Sequence, residues 1–191
     1  MRIGVIADTH IPDKYHKLSS RIIEAFSGVD LILHCGDIIE MKILDQLKEI
    51  APVEAVAGNH DLERNLDLPR KKVLDLNGYR IGMIHGDELN GLYVNKTQLK
   101  EWLYQVLVEP FINEKGLDII VFGHYHQPLL ESFRVEFYPE NQPFKKLKKD
   151  VLVFNPGMPI RNRHLSSVGF IELGRDEICI DLKVFTYPRN R

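Results

Sequence analysis

Short apolar runs that end in polar clusters recur along the chain. Arg2 to Ala7 ends at Asp8-Thr9-His10, Asp30 to Leu33 delivers His34-Cys35-Gly36-Asp37, and Val53 to Ala57 delivers Gly58-Asn59-His60-Asp61. Such runs read as buried strands. Between them, Leu18, Ile22, Ile23 and Phe26 recur at helical spacing and the stretch from about Ile39 to Ile50 does the same. Gly28 closes the first predicted helix and Pro52 follows the second. The pattern predicts a βαβαβ unit with a parallel sheet covered on both faces. In such sheets ligands sit beyond the carboxyl ends of the strands, where all three polar clusters fall.

The second half changes character. Lys72 to Leu76 and Arg80 to Ile84 flank Asn77-Gly78, a strong hairpin signal, and the second of these strands runs into His85-Gly86-Asp87. A helix is predicted from about Thr97 to Glu109, with Leu99, Trp102, Leu103 and Val106 on one face and Pro110 near its end. Asp118 to Phe122 is a further buried strand ending in Gly123-His124-Tyr125-His126. Leu130 to Tyr138, Val151 to Phe154, Val168 to Leu173 and Ile178 to Phe185 also read as strands. With no repeat, low-complexity segment or linker, residues 1–191 are expected to form a single α/β domain of two sheets packed face to face with outer helices.

Composition narrows the classes. At 191 residues, 44% hydrophobic and 27% charged, the chain can bury a real core, and a formal charge of -2 supplies no overall field toward nucleic acid or an anionic membrane. No window approaches the roughly 20 apolar residues of a spanning helix, and no basic segment leads a long apolar one at the N-terminus, so a cytoplasmic protein with no membrane association is expected. Cys35 and Cys179 lie in apolar runs without a CxxC pair and are expected to be small buried core residues rather than a disulfide.

The chemistry lies at the strand ends. Asp8 with His10, and His124 with His126, are spaced i, i+2, so each pair projects to one side if strand geometry persists. Together with Asp37, Asn59, His60 and His85 they make a carboxylate, imidazole and amide donor set without thiolate. That set suits divalent Mn, Fe, Ni, Zn or Co rather than a structural zinc. Any one histidine could be a core residue, but five at strand ends beside two aspartates point to a metal centre.

Asp8-x-His10, Gly36-Asp37, Gly58-Asn59-His60-Asp61, His85 and Gly123-His124-x-His126, in this order, resemble the calcineurin-like metallophosphoesterase family. The short length and Asn155-Pro156-Gly157 further resemble its small bacterial and archaeal phosphodiesterases of the YfcE type. The resemblance implies a four-layer αββα sandwich with two mixed sheets and two divalent metal ions at one edge, Mn foremost, with Ni, Co, Fe, Zn or Mg as alternatives. It implies that Asp8, His10, Asp37 and His126 hold one ion and Asp37, Asn59, His85 and His124 the other.

Asp37, alone on its strand end, fits the bridge that reduces repulsion between two ions about 3.5–4 Å apart. A hydroxide held between them is expected to attack phosphorus in line, with His60 as general acid for the leaving alkoxide. Asp61 either orients His60 or caps the turn. The expected substrate is a small phosphodiester such as a cyclic nucleotide or a nucleic-acid end, with monoester hydrolysis as the alternative activity. The alternative class is a non-catalytic scaffold of the same fold, like the retromer subunit, with a homodimer or higher homo-oligomer among the expected partners. Asp87 stands where many relatives carry histidine and is expected to lie outside the ligand set. The segment Gln127–Asp150, with Lys145, Lys146, Lys148 and Lys149, reads as a charged tip, a hairpin over the site or a dimer contact. Arg161, Arg163 and His164 are candidates for a substrate phosphate.

Overall fold

The computed structural model describes residues 1–11, 17–88, 96–114, 116–138, 144–160 and 166–186. Among the described residues, ten strands form two five-stranded sheets. The first contains β1 (Arg2–Ile6), β2 (Leu31–His34), β3 (Val53–Ala55), β9 (Ser166–Leu173) and β10 (Ile178–Phe185), in the order β10-β9-β1-β2-β3. The second contains β4 (Lys71–Leu76), β5 (Tyr79–Ile84), β6 (Ile119–Val121), β7 (Pro128–Phe137) and β8 (Leu147–Pro156), in the order β4-β5-β6-β8-β7. Strands β1, β2 and β3 run parallel, as do β5, β6 and β8, and β9, β10, β4 and β7 join antiparallel. Each sheet therefore has a parallel centre whose carboxyl ends open on one rim.

Three cores separate four layers, as the αββα expectation requires. Strand alternation creates them: Ile3, Val5, Leu31 and Leu33 face Ile81, Met83, Ile119, Val121 and Phe154 of the other sheet, while Ile6 and Ile32 face outward. Helices α1 (Ser20–Ala25) and α2 (Lys42–Lys48) cover the first sheet through Ile22, Ile43 and Leu47. On the second, Leu103, Leu107, Val108 and Phe111 pack on Ile120, Phe122, Phe133 and Val153.

Several boundaries differ from the sequence pattern for local reasons. The helix expected from Ile39 begins only at Lys42, because Ile39 sits at φ 81, outside helical space. Gly58 to Asp61, expected as a loop, opens the short helix α3 (Asn59–Glu63), with the Asp61 carboxylate accepting the Gly58 N–H at 2.9 Å in one half of a capping box. The helix expected from Thr97 to Glu109 is α4 (Lys96–Leu103), continued by a π-helical turn at Tyr104–Val108 and a 3-10 turn at Glu109–Phe111. That adjustment accommodates Pro110, which cannot donate an N–H to a regular helix. Cys35 is buried as expected, but Cys179 is exposed, because β10 is an edge strand and carries it on an uncovered position. Both thiols are free.

Gln127–Asp150 is largely the β7–β8 hairpin. Three of its four lysines are compensated where they stand: Lys146 and Lys148 both pair with Glu136, and Lys149 meets Asp118 at 2.7 Å. Those pairings reduce the local positive field expected of a nucleic-acid contact. Among the described residues, no helix is long and apolar enough to cross a membrane.

Phe154 is fully buried between the sheets, with its ring against Gly169 of β9. Phe154→Ala is expected to cost about 3–5 kcal/mol, read as a lowered denaturation midpoint at unchanged m-value. An unchanged midpoint would show that the inter-sheet core tolerates the cavity.

Candidate metal centre

The parallel strands deliver the expected donors to one rim, and the backbone then leaves strand geometry at once. Asp8 (φ 55), His10 (φ 45), Asp37 (φ 56), His124 (φ 60) and His126 (φ 60) all occupy the left-handed region. Few non-glycine residues do so, and the cost persists only where surroundings over-determine the conformation. Convergence of the i, i+2 pairs therefore comes from sharp left-handed turns and not from a continued pleat.

Hydrogen bonds across the rim supply the over-determination. Asp8 N–H donates to Gly36 O and His10 N–H to Asp37 O, both at 3.0 Å, fastening the end of β1 to the end of β2. Gly123 N–H donates to His85 O at 3.0 Å, fastening β6 to β5. His124 N–H reaches Asp8 Oδ1 at 3.1 Å, tying one sheet to the other. The sheets approach so closely here that a Cβ on Gly123 would lie 2.7 Å from Cys35 O and 2.9 Å from Ala7 Cβ, so only glycine fits.

Within this frame the side chains form overlapping groups. His126 Nε2 stands 3.3 Å from Asp8 Oδ1 and 3.4 Å from His10 Nε2, making one cluster of Asp8, His10 and His126. Asp8, Asp37 and His85 make a second, with His85 Nε2 3.5 Å from Asp37 Oδ2. Asp37 also faces His10 at 3.5 Å, so it lies between the two groups. The His124 ring stacks edge-on against His85, with centroids 5.2 Å apart.

Three buried donors in this centre lack a hydrogen-bond partner: Asp8 Oδ2, Asn59 Oδ1 and His85 Nε2. Orphaned buried polar atoms are costly, and those of Asp8 and His85, clustered with the buried Asp37, fit a cation. His85 is already oriented as a ligand, since its Nδ1–H donates to Cys35 O at 2.7 Å and turns Nε2 inward. Electrostatics register the demand of the carboxylates for positive charge. Burial favours the neutral His85 ring, yet Asp37 and Asp8 outweigh it and push its pKa up to about 9. Burial likewise opposes ionisation of Asp37, but His85, His10 and the His60 N–H hold it below the usual carboxylate range. Burial next to His85 pushes His124 down, toward the neutral form that binds metal.

His60 stands at the mouth, half-exposed, with Nε2 4.0 Å from Asp37 Oδ2, and it joins His10 and Asp37 in a third group. The carboxylate at its Nδ1, at 3.1 Å, is Glu63, one helical turn on. Asp61 is occupied elsewhere: Oδ1 accepts from Ile38 and Ile39 N–H at 2.8 Å each and Oδ2 from Gly58 N–H. Of the two roles expected for Asp61, these bonds are those of the cap. They also hold the left-handed Ile39 turn against the start of α3. Asp87 is taken by the Arg70 guanidinium at 2.9 and 3.0 Å, outside the clusters, and Arg70 also reaches Glu88 at 3.1 Å. Arg161, Arg163 and His164 lie outside the described residues.

A support not singled out in the sequence is the pair Thr9 and His34, both fully buried. Thr9 Oγ1 donates to Asp37 O at 3.3 Å, so the His34 contact at 3.2 Å is a donation from Nε2–H to Thr9 Oγ1. Thr9 thereby links the β1 and β2 turns. The only sequence signal was a histidine three residues ahead of Asp37 on a wholly apolar strand.

Comparisons with known proteins bear on the family and the fold. The family model of the calcineurin-like phosphoesterase superfamily domain matches residues 1–175. A probable metallophosphoesterase of Methanocaldococcus jannaschii is 40% identical over 159 residues, 83% of this chain and 68% of that protein. A probable metallophosphoesterase of Methanothermobacter thermautotrophicus is 33% identical over 159 residues, 83% of this chain and 77% of that protein. Among solved structures, wild-type Vps29 of Entamoeba histolytica complexed with zinc superposes with a TM-score of 0.62 at 17% identity, covering 97% of this chain and 98% of that one. A predicted phosphoesterase of Streptococcus pneumoniae superposes with a TM-score of 0.61 at 20% identity, covering 98% and 93%. These two share the fold.

His34 generates a pH prediction. Burial lowers its pKa from 6.5 to about 3, so between those values the unfolded chain binds a proton that the native state does not. Stability of the metal-free protein therefore falls as pH drops through that window, by up to about 1.4 kcal/mol per unit from this residue. Denaturation of His34→Gln between pH 6 and pH 4 is expected to show a slope shallower by about that amount, and an equal slope would rule out a buried neutral His34.

Proposed function

Because the chain belongs to the calcineurin-like phosphoesterase superfamily, we propose that it is a single-domain, metal-dependent phosphodiesterase acting on small phosphodiesters such as cyclic nucleotides or nucleic-acid ends. The observation that carries this reading is the buried cluster of Asp8, Asp37 and His85, in which Asp8 Oδ2 and His85 Nε2 are orphaned, with Asn59 Oδ1 also orphaned at the start of α3. Asp8, His10, Asp37 and His126 are the proposed holders of one divalent ion, and Asp37, Asn59, His85 and His124 of the other, with Mn preferred. When bound, such ions lower the pKa of water and withdraw charge from phosphoryl oxygens.

The chain's own residues divide the remaining work. Asp37 sits between the clusters and is held ionised there, as a shared ligand must be. His60 is the proposed general acid: it stands at the mouth where an alkoxide would leave, with Glu63 fixing the ring through Nδ1 and Nε2 facing inward. Asp61 acts on this chemistry through position, by pinning Gly58 to the turn at Ile38 and Ile39. The preference for diesters over monoesters is supported by Arg70. This guanidinium, immediately before β4, is already committed to Asp87 and Glu88 of the His85 loop, and so is compensated before any doubly charged monoester arrives. A Vps29-type protein can be complexed with zinc, but a scaffold would have no use for His60 poised at the mouth of the donor set, which favours the enzyme.

Protein stripped of metal and reloaded with Mn, Ni, Co, Zn or Mg is expected to hydrolyse a chromogenic phosphodiester faster than the matching monoester. No turnover with any of these ions would sink the enzymatic reading. Asp37→Asn is expected to lose bound metal together with activity, as assayed by metal analysis after gel filtration. His60→Ala is expected to retain metal and to lose about 10²–10⁴ in rate with poor leaving groups but much less with good ones. Equal losses across leaving groups would remove His60 from the role of acid.

A further inference from the structure

Asn155 closes β8 at the rim and is fully buried, with both ends of its amide spent on backbone groups. Its carboxamide spans two backbone groups. Nδ2 donates to Gly123 O at 2.6 Å, and Oδ1 accepts from Gly157 N–H at 2.7 Å. The partners determine which atom is which: a carbonyl can only accept and an N–H can only donate, so the amide has one orientation here.

Gly123 O is the pivot of the turn that carries His124 and His126. It also accepts from Tyr125 N–H at 2.6 Å, closing a three-residue turn with His124 at its centre in a left-handed conformation. Turns with a central positive φ are rare and strained, and they persist only when held from outside. The far side of Asn155 is itself anchored. Gly157 takes φ 79, and Ser167 Oγ donates to Pro156 O at 2.7 Å, fixing the turn to β9.

We infer that Asn155 is a positioning residue for the metal centre, clamping the Gly123 carbonyl so that the strained turn presents His124 and His126 toward Asp8. One side chain would then control a ligand in each of the two proposed ion sites. Aspartate cannot substitute, since it keeps the acceptor for Gly157 but sets a carboxylate oxygen against the Gly123 carbonyl. Serine lacks the reach to serve both groups. The inference rests on the metal-centre reading proposed above.

The test is cobalt titration of the full-length protein, followed by visible d–d absorption, for the wild type, Asn155→Asp and Ser167→Ala, with circular dichroism on each metal-free form. Asn155→Asp is expected to keep its native dichroism while binding Co²⁺ about ten-fold or more weakly and with altered band positions. Ser167→Ala, which loosens the same support from farther away, is expected to show a smaller weakening. Wild-type affinity and spectrum in folded Asn155→Asp would overturn the inference. Should that variant fail to fold, wild-type affinity in Ser167→Ala overturns it instead. A wild-type protein that takes up no cobalt would refute the metal centre itself, a failure distinct from either.

Discussion

Two carboxylates, Asp8 and Asp37, sit side by side where almost no water reaches them, and Asp37 is held ionised there. An isolated ionised carboxylate in such a place is prohibitively expensive, so the surroundings must supply positive charge or oriented dipoles. The rim does both. Histidines approach the oxygens at 3.3 to 3.5 Å, and the N–H groups of His60 and His124 point at them. A divalent cation would satisfy the same demand more fully, and would return His85 from its raised pKa to the neutral ligand form.

Much of the architecture follows from meeting that demand. Parallel central strands in both sheets bring the carboxyl ends to one edge, and two sheets packed face to face bring two such edges together. Glycine at 123 lets them touch. The left-handed turns at Asp8, His10, Asp37 and His124 are then tolerable because each is tied across the rim. Asp61, Thr9 and Asn155 contribute as braces whose polar atoms are spent on backbone groups.

The strand ends were legible in the sequence because period and burial agree there: an apolar run followed by Asp, Asn or His admits few other readings. Four layers were legible for the same reason, since β1 and β6 alternate apolar residues toward both faces. What escaped was set by tertiary contacts. Ile39 has an ordinary helical neighbourhood in the sequence and leaves the helix only because Asp61, 22 residues on, takes its N–H. The alternative of Asp61 as partner of His60 rested on adjacency, whereas the helical turn of α3 hands that contact to Glu63. Cys179 lies in a run as apolar as that of Cys35, and only its place on an edge strand exposes it.

The bond from His124 N–H to Asp8 Oδ1 joins residues 116 positions apart and crosses from one sheet to the other. During synthesis, the first half of the donor set would leave the ribosome long before the second. Asp8, His10 and Asp37 alone form an incomplete cradle, and His126 and the brace at Asn155 come later still. Assembly of the centre is therefore a late event in the history of each molecule, dependent on long-range closure of the two sheets. A nascent or half-folded chain would present scattered weak sites to passing ions, and selective loading becomes available only to the finished fold.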